Sequence, residues 1–274
     1  MSTQYLEYQG GKIAYEEAGS GPLVVCVPSM GDLRGEYRFL VPQLASAGYR
    51  VISMDVRGHG ETSVGWEDHS VGAIGSDLIA LIRSLDAGPA TIVGASMAAG
   101  AAVWAAAEAP ELVKGLVLIG PFVRGEGSWQ TRLLFSALFT RPWGPAVWQR
   151  YYTTLYPTRK PADFLQYVAA LRANLAEPGR MEALHQMMIA SKAASEERLP
   201  HVKAPTLVIM GSKDPDFKDP EAEAQWVAKS LNARVEMVKD AGHYPHAEMP
   251  EAAVPLVLSF LQTVIEPDER THAA

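Results

Sequence analysis

The chain of 274 residues contains a single cysteine, which excludes an internal disulfide and fits a reducing compartment. That residue, Cys26, lies in the apolar run Leu23-Val24-Val25-Cys26-Val27 and reads as a small buried hydrophobe, not a reactive thiol. There is no basic run, and 24 Lys and Arg against 31 Asp and Glu leave a formal charge of −7. Nucleic acid is therefore excluded as an expected partner. No apolar stretch approaches the ~20 residues of a membrane helix. Met1-Ser2-Thr3-Gln4-Tyr5 lacks the basic start and apolar core of a signal peptide, so the expected location is the cytoplasm. Internal repeats and low-complexity tracts are missing too. No pair of histidines combines with a carboxylate at metal-site spacing, so neither metal nor cofactor is expected.

What is present is alternation. At 48% hydrophobic and 20% charged, the chain can bury a large core. Short β-branched runs alternate with longer helical stretches, the pattern of a mostly parallel sheet covered on both faces. Tyr5 to Tyr8 and Lys12 to Glu17 read as an opening antiparallel pair. Further strands are predicted at Leu23–Pro28, Arg50–Asp55, the run ending at Ser96, Gly115–Ile119, Pro205–Met210 and Val235–Val238. Helices are predicted over Gly35–Ser46, Val71–Leu85, from Ser96 to Glu108, Pro220–Leu231 and Glu251–Ile265, with a frayed tail from Pro267. From Phe122 to Leu199 no strand is legible. That span is too long for a connection and is rich in Trp, Tyr, Phe and Leu, so a helical lid over 122–199 is expected on a core of 1–121 and 200–274.

One serine has a special setting. Thr91-Ile92-Val93-Gly94-Ala95-Ser96-Met97-Ala98 is an apolar strand turning at once into a small-residue helix. A residue on so sharp a turn is held above the sheet, and its neighbours two before and two after must be small. Gly94 and Ala98 meet that demand. A serine hydroxyl needs a base, and the base an orienting acid. Candidates follow later strands: Gly211-Ser212-Lys213-Asp214 and Ala241-Gly242-His243.

This order of Ser, Asp and His on this succession of strands resembles the α/β-hydrolase family, from about Tyr5 to Ile265. Asp55-Val56-Arg57-Gly58-His59-Gly60 matches a further family loop. The resemblance implies an eight-stranded, mostly parallel sheet flanked by helices, with the lid inserted after the sixth strand. It makes Ser96 the nucleophile, His243 the general base and then acid, and Asp214 the orienting carboxylate. Oxyanion donors would be the backbone N–H groups of Met97 and Met30. The loop of Met30 departs from the family: Pro28 and Ser29 stand where His-Gly is usual, removing the histidine that would brace it. The charged stretch Asp32, Arg34, Glu36 and Arg38 is read as a solvated surface run, with bracing ion pairs as the alternative.

Asp216 and Asp219 are read as capping or surface groups; some relatives place the acid one strand earlier, but here that strand ends in Gly120-Pro121-Phe122, with no carboxylate until Glu126. His246 is expected to face the lid or a loop, and His59 to be structural. His69, His185, His201 and His272 have no partner motif. Lid residues Trp129, Leu133, Phe135, Phe139, Trp143, Trp148, Tyr151, Tyr152, Phe164, Tyr167, Met187 and Met188 are expected mostly to pack on one another, the remainder lining an apolar pocket with Met30 and Met97. Arg124, Arg132 and Lys192 are possible partners for a substrate carboxylate.

The expected activity is hydrolysis of a small or medium apolar ester or lactone through an acyl-enzyme. A carbon–carbon bond hydrolase of aromatic degradation, a cofactor-free perhydrolase or haloperoxidase, and a non-catalytic binding protein share the fold. Haloalkane dehalogenases and epoxide hydrolases need a carboxylate nucleophile, which Ser96 is not.

Overall fold

The computed structural model describes residues 2–125, 139–140 and 142–270. Eight strands form one sheet: β1 (Gln4–Tyr8), β2 (Gly11–Ala18), β3 (Leu23–Val27), β4 (Arg50–Met54), β5 (Ala90–Ala95), β6 (Val113–Ile119), β7 (Thr206–Gly211) and β8 (Arg234–Val238). Their order is β1-β2-β4-β3-β5-β6-β7-β8. β1 pairs antiparallel with β2, and β2 with β4; every other pairing is parallel.

Parallel strands need coverage on both faces, and alternate residues of each buried strand serve the two sides. Val25, Val27 and Ile92 point to one layer, against α2 (Val71–Leu85), α3 (Met97–Glu108) and α8 (Pro220–Leu231). Val24, Cys26 and Val93 point to the other, against α1 (Val41–Ser46) and α10 (Pro250–Arg270). Cys26 is fully buried, and burial pushes its thiol pKa far up, so it is the inert hydrophobe predicted.

Between β6 and β7 the described chain is helical: α4 (Gly144–Thr154), α5 (Phe164–Ala176), α6 (Arg180–Ile189) and the short α7 (Ala193–Glu196), with a 3-10 turn at Leu199–His201. The remaining short helix, α9 (Pro245–Glu248), follows β8.

Two boundaries differ from expectation. The helix predicted over Gly35–Ser46 is a 3-10 turn, Arg34–Tyr37, followed by α1 from Val41, because Pro42 starts a new helix in its first turn. The last helix continues to Arg270, through Pro267, where the sequence suggests a frayed tail. Trp129, Leu133, Phe135, Arg132, Glu126 and His272 lie outside the described residues. No helix among the described residues is long and apolar enough to cross a membrane.

Candidate active site

All the predicted site residues follow the carboxyl ends of parallel strands, where sites of such sheets gather. Ser96 closes β5 at φ 54° and ψ −122°, a conformation L residues avoid at a cost of roughly 1–3 kcal/mol. Two backbone bonds to the end of β6 hold it there: Ser96 N donates to Ile119 O at 2.8 Å, and Phe122 N to Ser96 O at 3.1 Å. The demand for small neighbours is met literally, since a Cβ on Gly94 would sit 2.7 Å from Ala98 O.

After β8, His243 N donates to Leu155 O at 3.0 Å, which fixes the loop. Its ring Nδ1 meets Asp214 Oδ2, after β7, at 2.7 Å, and both side chains are buried. Asp214 is itself steadied by the Asp216 amide, which donates to its Oδ1 at 3.0 Å. Burial disfavours the charged imidazole, but the Asp214 charge and hydrogen bond, then Asp216 and Glu36, outweigh it and push His243 up to about 9.

The other ring nitrogen, Nε2, is buried and has no hydrogen-bond partner among the described residues, so it is not joined to Ser96 Oγ. The two residues are nevertheless neighbours through Gly120. Ser96 bonds the chain on either side of that glycine, and a Cβ on Gly120 would lie 2.9 Å from His243 Cε1.

The Met30 loop is braced from several directions. The Ser29 amide donates to Glu36 Oε2 at 2.8 Å, and Ser29 Oγ shares a 2.6 Å bond with Tyr244 OH. Gly31 N donates to His59 Nε2 at 3.2 Å, and Gly31 O accepts from Trp148 Nε1 at 2.9 Å. Asp32 N turns back to Ser29 O at 3.3 Å. The amides of Ser29, Gly31 and Asp32 are thus engaged, while no bond engages the Met30 amide among the described residues. Met97 is the first residue of α3, where a helix N–H has no intrahelical acceptor.

The stretch read as a solvated surface run is instead the brace. Asp32 and Glu36 are wholly buried. Asp32 accepts from Tyr152 OH at 2.8 Å and Tyr167 OH at 2.5 Å, while burial, then the nearby Glu36 charge, pushes its carboxyl up to about 8. Arg34 pairs with Asp55, Glu16 and Glu61, and Arg38 with Asp163. These carboxylates are tens of residues away in sequence, which is why no local pattern announced them.

His246 is buried against the 3-10 turn Arg34–Tyr37. Its ring stacks on Tyr37 with centroids 4.9 Å apart, and Nε2 lies 3.1 Å from Glu36 Oε1 without hydrogen-bond alignment. Burial drives both groups toward neutrality, taking His246 down to about 3 and Glu36 up to about 7. His59 is structural as predicted: Nδ1 bonds Arg57 O at 2.9 Å, and burial lowers the ring to about 4, so Nε2 is an acceptor.

Asp219 caps α8 by accepting from Ala222 N at 3.0 Å. Asp216 is neither cap nor surface group: its Oδ2 lies 3.8 Å from His243 Nε2. Asp214, Asp216 and His243 therefore bring three potential ligand atoms within 4.8 Å of one another, although Nδ1 is already engaged with Asp214. Arg124 does not reach into the site, being paired with Glu223 and lying over Trp226. Phe139, Trp148, Tyr152, Phe164, Tyr167 and Met187 pack as expected, whereas Trp143 is 53% exposed.

The family described as alpha/beta hydrolase fold matches residues 22–250. The chain belongs to it. A Mycobacterium tuberculosis protein named "Putative non-heme bromoperoxidase BpoC" is 32% identical over 269 residues, covering 92% of this chain and 98% of that one. The 3-oxoadipate enol-lactonase 2 of Acinetobacter baylyi is 28% identical over 208 residues, 74% of this chain and 75% of its own. Among solved structures, an esterase of Exiguobacterium antarcticum superposes with a TM-score of 0.84 at 21% identity, covering 96% of this chain and all of that one. For this α/β-hydrolase the relatives support a hydrolase.

Proposed function

We propose that the chain is a serine hydrolase that cleaves a carboxylic ester or lactone of a small to medium apolar substrate. The observation that carries this is the buried His243–Asp214 pair, with Nε2 left unbonded beside the strained Ser96 elbow. Ser96 Oγ attacks the carbonyl while His243 Nε2 takes its proton, and Asp214 holds the imidazole in the tautomer that can accept it. The oxyanion is received by the Met30 and Met97 amides. His243 then gives its proton to the leaving alcohol, and water, activated by the same imidazole, releases the acid. The Ser96–His243 bond that the resting site lacks is of the kind that tightens when substrate arrives.

Residues 122–199 act as a lid in this reading. α4 supports it, since Trp148, Tyr151 and Tyr152 of that helix reach Gly31, Asp216 and Asp32 on both sides of the site.

The relative named as a bromoperoxidase favours a second reading on the same residues. Hydrogen peroxide would replace water in the second step, attacking the acyl-enzyme to give a peracid and restore Ser96. A panel of p-nitrophenyl esters of rising chain length, a γ-lactone, and peracid detection in added peroxide test both. Saturable ester or lactone turnover lost in Ser96→Ala is expected; peracid formed faster than acid would favour the second reading. Turnover that survives Ser96→Ala contradicts both.

A further inference from the structure

The carboxylate of Asp216 is built into the working edge of His243. Asp214 occupies Nδ1, and on the opposite edge Asp216 Oδ2 stands 3.8 Å from the unbonded Nε2. It is held there from two elements. Its backbone amide is tied to Asp214, and its carboxylate oxygens lie 2.7 and 2.8 Å from the hydroxyl of Tyr151 on α4. Tyr151 is fixed in turn, with its ring 5.3 Å from Trp148 and 6.2 Å from Phe139. The surroundings are apolar: Phe217 stacks on Phe122 at 4.6 Å, and both rings flank His243. The Asp216 side chain is 14% exposed, enough to meet a bound molecule but not bathed in water.

A leaving oxygen must sit within hydrogen-bond reach of Nε2 to receive its proton. The Asp216 carboxylate therefore borders the space that the leaving group occupies. One phenol proton cannot satisfy two carboxylate oxygens, so acceptor capacity remains for a substrate.

We propose that Asp216, held by Tyr151, is a specificity-determining residue that favours leaving groups carrying a hydrogen-bond donor or a positive charge and rejects anionic ones. This rests on the serine-hydrolase reading and names the leaving-group chemistry of the same site. Burial raises the Asp216 carboxyl, but the facing imidazole opposes that shift, and Asp216 in turn favours the charged form of His243. The other titratable groups acting on His243 are Asp214 from the same loop, Glu36 from the 3-10 turn and His246 from α9, and the Tyr244 ring lies 4.9 Å from the imidazole.

The test compares butyrate esters of choline, glycerol, ethanol and glycolate with wild type, Asp216→Asn and Tyr151→Phe. For the wild type, kcat/KM for the choline and glycerol esters exceeds that for the glycolate ester by at least about tenfold, as repulsion between like charges in a poorly solvated site demands. Asp216→Asn removes most of that ratio and moves the acid limb of the pH profile for ethyl butyrate downward, which a merely structural loss would not do. Tyr151→Phe blunts the ratio while leaving the carboxylate in place. A wild-type ratio near one overturns the proposal even if neither variant folds; so does a ratio unchanged in folded Asp216→Asn. If ethyl butyrate is turned over through Ser96 while charge is ignored, only the Asp216 assignment fails. If no ester is cleaved and Ser96 resists fluorophosphonate, both readings fail.

Discussion

Glu36 accepts the amide of Ser29 at 2.8 Å from beneath the loop that carries Met30. One buried carboxylate thus sets the direction of the amide next to a proposed oxyanion donor. Glu36→Ala leaves the Ser29 N–H buried without an acceptor, at a cost of about 1–3 kcal/mol in stability. The Met30 donor is also misdirected, so kcat falls roughly 10- to 100-fold with little change in KM. Urea unfolding and steady-state kinetics on one ester check the two halves separately.

The same burial makes stability depend on pH. Glu36 and Asp32 are raised to about 7 and about 8, so the folded protein keeps protons that the unfolded chain releases near pH 4. Their contribution to stability is complete below about pH 4 and is lost as pH climbs through about 7 and 8. Glu36→Gln can still accept the Ser29 amide but cannot ionise. Its Tm relative to wild type therefore rises between pH 5 and pH 8.5, measured by calorimetry; a constant difference would contradict the assignment.

A general base works only when neutral. His243 is raised to about 9, so kcat/KM for an uncharged ester climbs with pH through an apparent pKa near that value. Asp214→Asn removes the main source of the upward shift and permits the wrong tautomer. Its acid limb moves lower, and its rate drops by roughly 10³- to 10⁴-fold.

Away from the site, Arg57 and Asp77 form a two-pronged ion pair at 2.6 and 2.7 Å, with side chains only 3% and 1% exposed. Asp77→Ala strands a buried guanidinium and lowers unfolding free energy by about 3–5 kcal/mol. Chemical denaturation reads this directly. A loss under 1 kcal/mol would mean that the Gln9 and Asp68 contacts of Arg57 suffice.

Much of this was legible in the chain because it rests on local chemistry. Gly94 and Ala98 announce the elbow through the size limit of a close strand–helix approach, and the runs at Val24 and Ile92 announce buried strands through unbroken apolarity. The brace of the Met30 loop was not legible. Glu36, Tyr244 and His246 are spread over some 210 positions and meet only once β3 and β8 lie in one sheet. A charge pattern such as Asp32–Arg38 looks the same on a surface as in a network, since the partners Tyr152, Tyr167 and Asp163 arrive from the insertion. Asp216 was hidden differently: two residues from Asp214, it reads as a capping or surface carboxylate, and only the direction of the imidazole separates their places.

In the proposed mechanism His243 and Asp214 make Ser96 a nucleophile. Mass spectrometry after treatment with a fluorophosphonate measures it most directly. One adduct is expected, on the peptide containing Ser96, absent from Ser96→Ala and strongly slowed in His243→Ala. An unlabelled folded protein, or an adduct on any other residue, would contradict it.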